Sequence, residues 1–120
     1  MLRAHSLLAA VLIGILPSVT PLFAGDWPQY RGPNRDGVST ETGLAKVWPA
    51  GGPKMVWSSK GIGLGYSSPA VANGMLYVTG VKEKKEFLAA YTLSGERKWQ
   101  TEYGSAWTKS FPPARTTPTL

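Results

Sequence analysis

Tyr66, Ser67, Trp107, Phe111 and Arg115 are the side chains of this sequence best suited to chemistry, and what they suit is recognition. Aromatic rings offer flat stacking faces, and a guanidinium offers a planar fork of donors that matches polar and anionic groups. Binding a ligand with these residues and merely covering a sheet edge with them are both open at this level. Bond-making chemistry is more restricted. His5 is the only histidine and there is no cysteine. Beyond residue 24 the chain therefore lacks the parts of a Ser-His-Asp or Cys-His nucleophile, and of a zinc site built on His or Cys. Disulfide stapling is absent too, so stability has to come from packing.

Two stretches imitate ligand-binding loops and fail on register. Asn34-Arg35-Asp36-Gly37 suggests a calcium loop, in which oxygen ligands alternate ahead of an invariant glycine. Aligning Gly37 with that glycine places Gly32 at the first ligand position and Gly43 where a bidentate glutamate belongs. A structural turn is the better reading, with Trp27 and Tyr30 as anchors for a loop-rich arm over residues 25–52. Gly61-Ile62-Gly63-Leu64-Gly65 suggests a phosphate cradle, but Tyr66 stands at the third glycine position and no helical pattern follows. It reads as a flexible lead into a strand. No metal site is expected.

Lys and Arg number 13 against 7 acidic residues, a net charge of +6. Only Arg3 lies in the first 24 residues, so the rest carries +5. The basic residues are scattered, and Lys82-Glu83-Lys84-Lys85 is broken by its glutamate. That cluster reads as a solvated hairpin tip that discourages edge pairing. Nucleic acid is not expected as a partner; a weak attraction to anionic surfaces is compatible with the charge.

Residues 1–24 have the pattern of a secretory signal peptide. Arg3 and His5 precede an apolar core from Leu7 to Leu16, Pro17 and Pro21 break it, and Ala24 supplies a small residue for cleavage. The core is shorter than the ~20 residues that cross a bilayer. The expectation is a periplasmic or secreted protein with no stable membrane insertion after cleavage.

The elements that position the recognition residues are strands. Pro69 to Ala72 leads into Asn73-Gly74, a strong two-residue hairpin signal. Met75 to Val81 ends at the charged tip, Glu86 to Thr92 returns, and a turn containing Gly95 precedes Arg97 to Glu102. Four such strands form a meander that cannot bury both faces alone. The chain also repeats itself. Trp57 in Lys54-Met55-Val56-Trp57 is echoed 42 residues on by Trp99 in Glu96-Arg97-Lys98-Trp99. Ser67-Ser68-Pro69-Ala70-Val71 is echoed 49 residues on by Thr116-Thr117-Pro118-Thr119-Leu120. Four strands per unit at this period point to a β-propeller. A β-sandwich with accidental echoes is the competing architecture. Pro69 and Pro118 suit innermost strands with one unpaired edge, since proline cannot donate to a ladder.

Ala90-Tyr91-Thr92-Leu93-Ser94-Gly95-Glu96-Arg97-Lys98-Trp99 resembles the tryptophan-docking motif of pyrroloquinoline-quinone-type (PQQ-like) propellers in a shorter form, with Thr92 where the family usually has aspartate. Asp26-Trp27-Pro28-Gln29-Tyr30-Arg31-Gly32-Pro33-Asn34-Arg35-Asp36-Gly37 resembles the amino-terminal signature of secreted members, as does Gly65-Tyr66-Ser67-Ser68-Pro69-Ala70-Val71. The resemblance implies an all-β, incomplete propeller over 53–120. One four-stranded antiparallel blade would span 67–102, and the next would start at 115–120. Trp57, Ala90, Gly95 and Trp99 would dock blade on blade. Pro53 to Lys60 would be a lone outer strand that helps close the ring. A closed propeller takes ~4–8 blades, so the 96 residues after the signal segment read as the front of a longer protein or a truncated copy.

Two functions follow from the resemblance. One is a non-catalytic binding or scaffold module that takes a protein or small polar ligand at a propeller face through Tyr66, Ser67, Trp107 and Arg115, with no cofactor. Scaffold propellers of the outer-membrane β-barrel assembly machinery are similar in this respect. The alternative is a quinoprotein dehydrogenase that oxidises an alcohol or sugar with PQQ and calcium, its catalytic residues lying elsewhere. A defective remnant without function is a third reading.

Overall fold

Asn73 and Gly74 take φ values of 51° and 73° and reverse the chain in a two-residue turn. Around this turn a computed structural model describes residues 25–109 and 113–120. The signal-like segment and Phe111 lie outside the described residues. The described chain is all-β, with one open four-stranded antiparallel sheet and no helix. Strand β1 is Ala70–Ala72, β2 Met75–Lys82, β3 Lys85–Thr92 and β4 Arg97–Ser105, and they pair in chain order.

The turns determine the register. Asn73-Gly74 pairs Ala72 with Met75. The charged tip contracts to two residues because Glu83 and Lys84 both adopt left-handed backbone, at φ 53° and 64°, so Lys82 pairs directly with Lys85. In the third turn Gly95, at φ 92°, donates its N–H to the Thr92 carbonyl at 3.0 Å. The Thr92 hydroxyl accepts the Glu96 N–H at 3.1 Å and lies 2.8 Å from Ser94 Oγ. Thr92 thus ties its own hairpin together. Two bulges interrupt the β3–β4 ladder, between Glu86 and Phe87 and between Ala90 and Tyr91. They let β4 run to Ser105, three residues past its expected end.

The core is built of small side chains. Ala89 and Ala90 point to opposite faces, and both are 0% exposed. The middle of the sheet is therefore covered on both sides. Ala70, Ala72, Tyr91, Ala114 and Thr79 are the other buried side chains described.

Segments outside the meander close its inner edge. The expected free edge at β1 is taken at Val71 by Trp27, through two backbone hydrogen bonds of 2.8 and 2.9 Å. Pro69 has no N–H, so Val71 is the position that can both donate and accept there. The glycine-rich lead is not loose either. Leu64 and Val81 exchange hydrogen bonds of 2.8 and 2.7 Å. A Cβ on Gly63 would run into the Val81 carbonyl, and one on Gly80 into the Ile62 carbonyl. Glycine stands at both places because two backbones touch there. Further along, Gly65 and Ala114 form a parallel bridge, with the Tyr66 N–H on the Ala114 carbonyl at 2.8 Å. Thr79 Oγ1 donates to the Thr116 carbonyl at 2.8 Å, and Leu120 N–H to Pro28 at 3.0 Å. By contrast, residues 53–60 join no ladder, with Met55 and Val56 exposed. A strand needs a neighbour to supply its backbone hydrogen bonds, and this stretch touches the sheet through the Trp57 side chain instead.

Candidate functional site

The parallel bridge at Gly65 and Ala114 sets Tyr66 beside Arg115, with the guanidinium carbon 5.0 Å from the phenol ring centre. Arginine over an aromatic face is a favourable cation–π arrangement. It leaves Tyr66 70% exposed. Ser67 follows, its hydroxyl donating to the Ser68 carbonyl at 3.0 Å. Trp107 is held elsewhere, beside the β2–β3 turn. The Ala106 N–H bonds the Lys84 carbonyl at 2.9 Å, which ties the chain after β4 to the β2–β3 turn, and Lys109 lies 6.0 Å from the Trp107 ring. The structure thus joins Tyr66 to Arg115, with Ser67 next in the chain, and sets Trp107 apart from them at the β2–β3 turn. Exposed rings beside cations suit binding of flat or polar groups.

The four residues expected to dock blades divide between the two faces. On one, Trp57 stacks on Tyr91 at 6.2 Å between ring centres and 20° between planes. Its Nε1–H donates to the Leu93 carbonyl at 2.9 Å. A Cβ on Gly95 would lie 2.7 Å from the indole, so only a bare α-carbon lets Trp57 settle on this turn. On the other face, Trp99 lies opposite Ala90 in the ladder and 6.1 Å from Tyr77. Trp99 is 44% exposed. One face of the sheet receives an indole, and the opposite face presents one.

Tyr103 forms a further polar cluster that the alternation pattern does not reveal. The bulge between Glu86 and Phe87 leaves Tyr103 without a direct partner in the ladder and brings it to Glu86 and Thr79. Partial burial first, then hydrogen bonding to Glu86 and its charge, push the Tyr103 phenol up to about 12, while a hydrogen bond with Thr79 acts the other way. A raised phenol means the folded chain holds its proton where the unfolded chain has lost it. The stabilising contribution is complete below pH ~10, the ordinary tyrosine value, and disappears as pH rises towards 12. Phenolate absorbance at 295 nm is expected to show one late-titrating tyrosine that moves down in Glu86→Gln. An unmoved titration in that variant would count against the contact.

Among the described residues no three Asp, Glu, His or Cys side chains gather in a group that could hold a metal ion. No protein-family profile, curated protein or solved structure matches the chain.

Proposed function

We propose that this chain is a PQQ-like β-propeller repeat segment, exported and non-catalytic, that binds a protein or small polar ligand at a propeller face through Tyr66, Ser67, Trp107 and Arg115. The observation that carries the repeat reading is the polarity of the two indoles. Trp57 is seated on the Leu93–Gly95 turn, and Trp99, 42 residues later, is presented from the opposite face. A unit that receives on one face and offers on the other stacks against copies of itself. The bridge from Gly65 to Ala114 supports the same reading. It joins residues 49 apart, the spacing of the two Ser/Thr-Pro echoes, so the segments that lead into the two copies of the motif meet at this pair.

The ligand face is tested by placing photo-reactive benzoylphenylalanine at position 66 in cells that make the protein. A discrete adduct is expected, with a yield at least tenfold lower when Arg115→Ala is added. No adduct, or one indifferent to that change, would reject the binding role. Reduction of a dye with an alcohol after adding PQQ and calcium would replace it with the dehydrogenase.

A further inference from the structure

The amino-terminal arm holds a second polar site, whose geometry is independent of the repeat reading. Among the described residues, five other than glycine take positive φ. Asn73, Glu83 and Lys84 do so in two-residue hairpins whose turn type requires it. Arg31 and Arg35 do so at 63° and 60° outside any hairpin. An L side chain is disfavoured in that region, and such strain persists only where neighbouring structure imposes it. Here hydrogen bonds impose it: Gly32 N–H to the Gln29 carbonyl, Arg35 N–H to Gly32, and Gly37 N–H to Arg31, at 2.9 to 3.1 Å. Gly32 also packs on Trp27, the residue paired with β1.

The imposed backbone brings Arg31 and Arg35 to one open cleft of about 240 Å³, lined by Gln29, Tyr30, Arg31, Arg35 and Thr119. Each arginine is held from one side. Arg35 Nε donates to Gln29 Oε1 at 3.1 Å, and Gln29 in turn donates to the Pro33 carbonyl at 3.2 Å. The Arg31 guanidinium lies 5.7 Å from the Tyr30 ring centre. No acidic side chain lines the cleft, and among the described residues neither arginine forms a salt bridge. Two arginines lining one small cleft, with no acidic side chain among its lining residues, match an oxyanion better than any other group.

We propose that this cleft binds a small oxyanion-bearing ligand (a carboxylate, sulfate or phosphate) between Arg31 and Arg35, with the Thr119 hydroxyl as a neutral donor. The test uses the whole chain and isothermal titration with three probes: trigalacturonate, inorganic sulfate and inorganic phosphate. At least one is expected to bind, more weakly as salt is raised, and which one does identifies the oxyanion. Arg31→Gly and Arg35→Gly are the informative variants, because glycine adopts this backbone freely. Each is expected to weaken binding at least tenfold while the melting temperature stays level or rises. Failure of all three probes, unchanged affinity in the double variant, or equal binding of neutral maltotriose would overturn the site. A lower melting temperature in both glycine variants would overturn it too, since the arginines would then serve packing.

Discussion

Trp57→Ala is expected to lower the stability of the fold by about 3 kcal/mol, in the range for truncating a packed aromatic. Two contributions are separable. The indole stacks on Tyr91 and sits on Gly95, and its Nε1–H satisfies the Leu93 carbonyl. Trp57→Phe retains a ring for stacking and loses the hydrogen bond, which should account for about 1 kcal/mol of the total. Gly95→Ala attacks the same contact from the other side. Its new methyl group would lie 2.7 Å from the indole, at a φ of 92°. A loss of about 2–3 kcal/mol is expected, of which roughly 1 comes from the left-handed backbone alone. Once Trp57 is gone only that backbone part should remain. The two changes together should therefore cost about 1–2 kcal/mol less than their sum, as contacting residues do. Urea unfolding measures all three variants. Strict additivity would mean that the indole does not rest on the turn.

Gly80→Ala separates local propensity from tertiary contact. Gly80 lies inside β2, where alanine is normally the better residue by roughly 0.5–1 kcal/mol. Propensity therefore predicts a gain. The structure predicts a loss, because the methyl group would collide with the Ile62 carbonyl. A backbone carbonyl cannot swing away as a flexible side chain can, so the lead from Ile62 to Leu64 would have to lift off β2. That sacrifices the paired hydrogen bonds of Leu64 and Val81, and a net loss of about 2–3 kcal/mol is expected. Equal or greater stability in Gly80→Ala would show that the lead does not pack there.

The meander was legible because its instructions are local. Asn73-Gly74 and the Thr92–Gly95 turn each act within a few residues, and the apolar runs between them need only neighbours already brought close. The charged tip at Lys82 to Lys85 was legible too, but its contraction to two residues was not, since neither Glu83 nor Lys84 advertises left-handed backbone. The candidate recognition residues were legible by type, and Tyr66 and Arg115, which immediately precede the two copies of the 49-residue echo, turned out to lie one on the other.

What the residue order determined by itself was one four-stranded antiparallel sheet, its turns and its repeated motifs, because turn chemistry and period-two patterning act between near neighbours. Tertiary structure alone decided that Trp27 takes the edge of β1, that Trp57 settles on Gly95, that Gly63 and Gly80 mark backbone contacts, and that Arg31 and Arg35 share a cleft with Thr119. Each of these depends on which segment, distant in the chain, meets a backbone group or surface still lacking a partner, and that choice is made only once the sheet exists.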